Sequence, residues 1–276
     1  MKKILCLAFI LSVSVTSFAQ FRLGVFGGLS NYQGDLVDKP FQSSRAAVGI
    51  TGTFTLSQRF NIRTGITFGR VAAADSLSNS EVLRSRNLSF QSNIAEFSVL
   101  AEYNIFNIEQ VRWTPYVFAG LALYHFDPFT YGQDGIQTYL QPLTTEGQGI
   151  EGYGSKPYNL TQIAIPFGGG IKYAISDRVH LGLELGLRKL FTDHLDDVSG
   201  NYADPGELVA ARGPRSAELA YRGDEVAGGE LLAPDKGAMR GSPKYKDYYY
   251  FTGLHLSFQL GNGGGDKGYG CPKVTF

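Results

Sequence analysis

Apolar and polar residues alternate with a period of two along most of this chain, the spacing of strands whose two faces meet different surroundings. Val179, Leu181, Leu183, Leu185 and Leu187 fall on one side of such a stretch, with His180, Glu184 and Arg188 on the other. Phe97, Val99, Ala101, Tyr103 and Ile105 oppose Glu96, Ser98, Glu102 and Asn104, and Phe60, Ile62, Ile66 and Phe68 oppose Asn61, Arg63 and Thr67. Tyr248, Tyr250, Leu254, Leu256, Phe258 and Leu260 share a further apolar face. The pattern predicts strands at about 21–30, 45–56, 60–70, 88–106, 113–126, 159–175, 178–191 and 247–260.

The segments joining these strands alternate in length, at about 14, 3, 17, 6, 32, 2 and 55 residues, which puts every long connection at one end. A soluble sandwich has no reason to segregate its loops in this way. The expected fold is therefore all-β: an eight-stranded antiparallel transmembrane β-barrel with short periplasmic turns and long extracellular loops, both chain ends lying on the periplasmic side. In such a barrel the apolar face meets lipid and the polar face lines the interior. Arg63, Glu96, Glu102, Glu184 and Arg188 are too many charges for a dry sandwich core, and they are expected to pair inside the barrel as a structural polar network. Pro166, followed by Gly168, Gly169 and Gly170, is expected to mark a bulge or a close approach. Tyr248 to Phe251 are expected to join an aromatic girdle at the extracellular rim.

Composition agrees. Of 276 residues, 35 are Gly, 19 Phe and 16 Tyr, whereas only 18% are charged, a balance suited to an all-β chain. The 25 Lys and Arg equal the 25 Asp and Glu, and without a basic run there is no electrostatic footprint for nucleic acid. No segment is long and apolar enough for a membrane-spanning helix.

The first residues read as an export signal. Lys2 and Lys3 precede an apolar run from Ile4 to Val15, and Ser17-Phe18-Ala19 places small residues before a cleavage between Ala19 and Gln20. The expected organisation is a signal peptide over 1–19, a barrel over 20–260 with its long loop at 192–246, and a Gly-rich periplasmic tail over 261–276. Cleavage removes Cys6 and leaves Cys271, and a lone cysteine in an exported chain is a candidate for an intermolecular disulfide. The other reading of Cys271 is a tail thiol without a role.

Signals of catalysis and ligand binding are sparse. His125 with Asp127, and Asp193 with His194, could serve as acid–base pairs of a hydrolase at the rim, but no spacing joins the two clusters. Asp193, Asp196 and Asp197 offer carboxylates to calcium, although a solvated acidic loop explains them as well. Gly263, Gly265 and Gly268 match a dinucleotide fingerprint without the helix that such a site requires. No catalytic residue, cofactor, metal or small-molecule substrate is expected.

Several short stretches, taken in order, carry a family likeness: Tyr32-Gln33-Gly34-Asp35-Leu36, Arg86-Asn87-Leu88-Ser89-Phe90, Pro115-Tyr116-Val117-Phe118-Ala119-Gly120 and Pro142-Leu143-Thr144-Thr145-Glu146-Gly147-Gln148-Gly149. Ile165-Pro166-Phe167-Gly168-Gly169-Gly170, Leu195-Asp196-Asp197-Val198-Ser199 and Cys271-Pro272-Lys273 continue it. Across nearly the whole chain after residue 19, the sequence resembles the PorG-like outer-membrane proteins of the type IX secretion system in Bacteroidetes. It departs at Asp127, where the pattern has Asn, and at His194, where it has an aromatic residue. The resemblance implies a non-enzymatic barrel that anchors a periplasmic ring, built from a lipoprotein and its partner subunit, to the outer membrane. Cys271 would supply the attachment. Glu146, Gln148, Asp196 and Asp197 are expected in loop packing or partner contacts. The alternatives kept beside this reading are the rim hydrolase and a surface adhesin or structural barrel.

Overall fold

In the computed structural model the described residues are 20–229, 232–244 and 246–260. The signal segment with its Ala19–Gln20 cleavage point and the tail carrying Cys271 lie outside them. Eight long strands form the wall: β1 (Gln20–Gln33), β2 (Arg45–Thr55), β3 (Phe60–Ala74), β4 (Ser89–Asn104), β5 (Trp113–Tyr131), β7 (Thr161–Ala174), β8 (Val179–Leu190) and β9 (Tyr248–Leu260). A ninth, short strand, β6 (Gln137–Tyr139), pairs with the upper end of β5 inside a loop. Each wall strand pairs antiparallel with its neighbours, and β1 pairs with β9, so the sheet closes.

The closure has a definite stagger. Backbone partners lead from Gln20 through Thr55, Asn61, Glu102, Phe118, Gly168, Gly186 and Phe251 back to β1 at Ser30. That shift of about ten residues over the eight strands corresponds to a strand tilt of about 40° and a barrel radius of about 8 Å. Such an interior is wide enough only for side chains to fill.

The outer surface carries the belt that lipid requires. Leu23, Val48, Ile50, Phe68, Phe97, Leu121, Ile163 and Leu183 all point outward and are exposed. On β3 the outward set runs from Phe60 to Phe68 and then changes to Arg70. Nine residues rising about 3.4 Å each at that tilt span about 20 Å, close to the roughly 25 Å apolar band of an outer-membrane barrel. Its lower border, at the short-turn end, is aromatic: Phe21 packs on Phe54 with ring centroids 4.9 Å apart and Phe106 on Trp113 at 5.5 Å.

Three expectations change in detail. β1, β3 and β5 run further into the loops than their apolar pattern, to Gln33, Ala74 and Tyr131, because above the belt they pack on loop rather than lipid, whereas β4, β7, β8 and β9 are slightly shorter than expected. The Tyr248–Phe251 run is not a lipid-facing girdle. Tyr249 and Phe251 share the inward parity of His255 and are buried, and outward Tyr250 is covered by Phe41 at 5.3 Å. Pro166 makes no bulge, since the β7–β8 register runs through it unbroken. The Gly run instead permits a close approach: a Cβ at Gly168 would lie 2.2 Å from the Leu185 carbonyl and 2.8 Å from the Phe118 ring.

The long loops do not float. The connection after β8 carries two helices, α2 (Pro205–Arg212) and α3 (Pro214–Ala220). Asp204 caps the first by accepting the Glu207 N–H at 2.9 Å, and Gly213, at φ 89°, ends it just before Pro214 opens the second. A third, α1 (Glu81–Arg86), lies between β3 and β4. These segments fold over the barrel mouth as a cap.

Candidate functional site: a filled lumen beneath a loop-built cap

Midway down the barrel the inward positions hold three cations and three carboxylates, all buried. Arg63 reaches Glu184 at 2.6 Å and Glu102 at 3.5 Å, and Lys172 completes the group on Glu102. Asn61 donates to Glu102 at 3.0 Å and the Tyr116 hydroxyl to Glu184 at 2.7 Å. Arg188 forms a two-pronged pair with Glu96 at 2.9 and 3.0 Å, and the Tyr249 hydroxyl donates to the same carboxylate at 2.7 Å. The Arg188 guanidinium lies 4.3 Å from the Phe251 ring centre. Buried ions are tolerated because each carboxylate meets a cation and further donors. The void left among Thr51, Arg63, Glu184 and His255 is about 20 Å³, room for about one water.

Above this layer the lumen turns aromatic. Tyr124 stacks near Phe126 at 5.6 Å, Phe126 on Tyr158 at 6.0 Å, and Tyr158 on His194 at 4.7 Å. The stack joins the strands to the cap, and Leu195, Val198 and Leu219 of the loops belong to the same buried cluster.

Carboxylates and arginines hold the cap together. Glu146 accepts the Ser199 N–H at 2.9 Å and pairs with Arg240 at 3.0 Å, while Gln148 accepts the Glu146 N–H at 3.2 Å. Asp197 accepts the hydroxyls of Thr145 at 2.6 Å and Tyr158 at 2.7 Å, and Asp193 accepts Ser199 at 2.9 Å. Asp196 and Asp247 both face the Tyr32 hydroxyl, at 2.5 and 3.1 Å. Arg86 clamps Asp75 with two bonds of 2.7 Å and reaches the carbonyls of Arg240 and Asp35. Burial pushes the Asp193 and Asp197 carboxyls up to about 6, and raises Asp196 and Asp247 well above the usual carboxylate range.

The acidic loop is thus not solvated. Glu146, Gln148, Asp196 and Asp197 are buried and bind their own chain, so their contacts are loop packing, not an exposed partner surface. The two acid–base pairs also stay apart. His125 is exposed on the outer wall and bonded to Thr161 at 2.9 Å, and Asp127 shares its outward parity, whereas Asp193 is buried and His194 half-buried in the cap. The wall of β5 separates them, which leaves the rim hydrolase without a constellation. The sequence did not give Lys172, Tyr116, Tyr249, Tyr32, Arg240 and Asp247 a place in the lumen network or the cap. Strand parity could have found the first three, but nothing local marks the others.

A closed sheet with a lipid-matched belt, a charged and filled lumen and long loops gathered at one mouth defines a transmembrane β-barrel of the outer-membrane type, its short turns periplasmic and its long loops extracellular. The chain belongs to the family described as a domain of unknown function (DUF6089), whose model matches residues 2–207. No curated protein matches the sequence. Solved structures similar to it include Neisserial surface protein A (9% identity, covering 88% of this chain and 100% of that one, TM-score 0.45) and Ail, the attachment invasion locus protein of Yersinia pestis (6%, 88% and 100%, 0.43). The outer membrane protein OprG from Pseudomonas aeruginosa is a third (9%, 88% and 99%, 0.42). With TM-scores below 0.5, none of them speaks to what this chain does.

Proposed function

We propose that this protein is a non-enzymatic anchor of the outer membrane, tethering the periplasmic ring lipoprotein and its partner subunit of a protein secretion machine. The observation that carries the non-transporting, structural part is the lumen: paired ions fill it and a packed cap covers it, so the molecule works through its surfaces. The likeness to PorG-like proteins supplies the secretion machine. The end of β9 at the short-turn face supports the tether, because the Gly-rich stretch and Cys271 follow it in sequence. Cys271 forms the disulfide to the ring lipoprotein.

The test compares outer-membrane fractions, thiols blocked at lysis, on non-reducing and reducing gels, with wild type beside Cys271→Ser. A heavier band in wild type alone that collapses on reduction, and contains a lipoprotein, is the expected result. A monomeric band in both, together with gentle detergent purification that yields the barrel without ring proteins, overturns the anchor.

A second reading, a surface adhesin, is favoured by one observation. Leu232, Met239 and Val82 stand 83%, 78% and 76% exposed on the loop side, where an external ligand could meet them. Changing all three to Ser abolishes surface attachment if that reading holds and leaves ring assembly intact.

A further inference from the structure

Just above the apolar belt, one rung of the outer wall sets a cation, an amide and an anion side by side on three adjacent strands. Arg70 on β3 pairs in register with Asn93 on β4, and Asn93 with Asp127 on β5. All three have outward parity; Arg70 and Asn93 are exposed and Asp127 is half-buried. Neighbouring strands lie about 4.8 Å apart, so the Cα atoms of Arg70 and Asp127 stand about 10 Å apart. The arginine reaches across much of that gap. Its Nε donates to Asn93 Oδ1 at 2.8 Å, and its guanidinium carbon lies 5.7 Å from the ring centre of Phe129. Phe129 follows Asp127 in the outward row of β5, so the guanidinium ends within about one rung of the carboxylate.

Among the described residues the two charges nevertheless form no ion pair, with each other or with any other group. Asn93 and the face of Phe129 hold the guanidinium short of Asp127, and the Phe129 ring is itself fixed, being buried against Tyr131 and Tyr139. His125, below Asp127 on the same face, turns its Nδ1 sideways to Thr161. A positive and a negative group are thus kept near one another but apart, which suits a ligand carrying both signs. A bare phosphate would meet the Asp127 carboxylate, and a bare amine would meet Arg70. An ammonium joined through two carbons to a phosphate satisfies both.

The rung below points to a lipid as the carrier. It runs Phe68, Ala95, His125 in register, and the single methyl of Ala95 leaves a notch between the two rings beneath Asn93. Under the notch Ile66, Phe97 and Leu123 are exposed in the belt. An acyl chain rising over Phe97 brings its headgroup to the charged rung.

We propose that Arg70 and Asp127 bind the headgroup of an outer-leaflet lipid whose phosphate carries a primary amine, as in phosphoethanolamine. The guanidinium fork takes phosphate oxygens, and the carboxylate accepts N–H bonds from the ammonium, charge-assisted at both ends. The site is on the outer wall, independent of the lumen, the cap and any periplasmic partner.

The experiment reconstitutes the full chain in discs holding equal amounts of phosphatidylethanolamine, phosphatidylglycerol and phosphatidylcholine with identical acyl chains. Native mass spectrometry then counts the lipids carried into mild detergent. Wild type is expected to retain phosphatidylethanolamine about threefold over either of the others. Asp127→Asn leaves the cation alone and turns the preference toward phosphatidylglycerol, a reversal that a merely structural carboxylate would not produce. Arg70→Gln cuts retention of phosphatidylethanolamine. Unchanged mobility on unheated gels shows that each variant folds. Equal retention of the three lipids by wild type overturns the proposal, as does an undiminished preference for phosphatidylethanolamine over phosphatidylglycerol in Asp127→Asn. Soluble phosphoethanolamine is the second arm: if it displaces the retained lipid at equal concentration, the site is for the free molecule and the lipid assignment falls.

Discussion

Asp196 and Asp247 meet on one oxygen: the Tyr32 hydroxyl lies 2.5 Å from the first and 3.1 Å from the second. A phenol has a single proton, so it can satisfy only one of the two carboxylates at a time. Both are fully enclosed, and each is pushed well above the usual carboxylate range, Asp247 chiefly by burial and then by Asp196. Burial and mutual repulsion therefore favour the protonated form of the pair, and the three groups act as a clasp between loop and barrel.

The cap should tighten in acid. In the folded protein Asp193 and Asp197 hold their protons up to about pH 6, against an ordinary value of 3.8. A carboxyl raised on folding contributes stability that is fully present below its unfolded value and is lost as pH rises through its folded one. Arg240, which faces Asp197, and Lys246, which acts on Asp193, soften the effect, whereas Glu146 strengthens it. Amide exchange at Leu195, Val198 and Ser199, corrected for intrinsic rates, is expected to be slower at pH 5 than at pH 8. The same protection at both values contradicts the clasp.

Tyr32→Phe removes the shared proton and leaves two buried carboxylates facing each other. Losing a buried donor of this kind costs about 1–3 kcal/mol. The loss falls on the cap, because the β1–β9 ladder does not depend on the hydroxyl. Limited proteolysis is expected to cut within 192–246 sooner in the variant, while mobility on unheated gels stays that of a folded barrel. Adding Asp247→Asn restores much of the resistance.

The Arg188–Glu96 pair is expected to behave as a unit. Glu96→Gln or Arg188→Met alone strands a partner in the lumen, at a cost of about 3–5 kcal/mol, whereas the double change costs less than the two singles combined. Urea unfolding from lipid vesicles measures this. In planar bilayers wild type is expected to pass no steady current, and removing Arg63 and Glu184 together to open at most a narrow leak.

Gly168→Val should fail at the folding step. Its Cβ would collide with the Leu185 carbonyl and the Phe118 ring, whereas a Cβ at Gly27, on the outer face, meets nothing within 4 Å. Refolding yield into detergent micelles is expected to drop severalfold for Gly168→Val and to change little for Gly27→Ala, which loses no contact.

The wall of the barrel was legible because each strand obeys one rule along its whole length. Leu181 to Leu187 face lipid and Glu184 and Arg188 face the lumen for the same reason, a period of two. The segregation of loop lengths did the rest. The Tyr248–Phe251 run was misassigned as a girdle because it was taken by residue type, when parity with His255 already turned Tyr249 and Phe251 inward. The cap was opaque for a different reason. Asp196 and Asp197 sit in a stretch rich in Gly, Pro and charge, which has the composition of a solvated loop. Their burial depends on Tyr32, Thr145, Tyr158 and Arg240, and no local spacing encodes contacts spread that widely along the chain.

A sheet that closes on itself is finished at one seam, here where β1 meets β9. Tyr32 stands near the top of β1 and Asp247 immediately before β9, so they become neighbours only when that seam has been zipped. The loop carrying Asp196 then has a seat; before that it has half of one. The cap is accordingly a certificate of completed insertion. A partner that read its outer surface would engage only barrels whose last strand had found the first, and half-assembled chains would offer it nothing to hold.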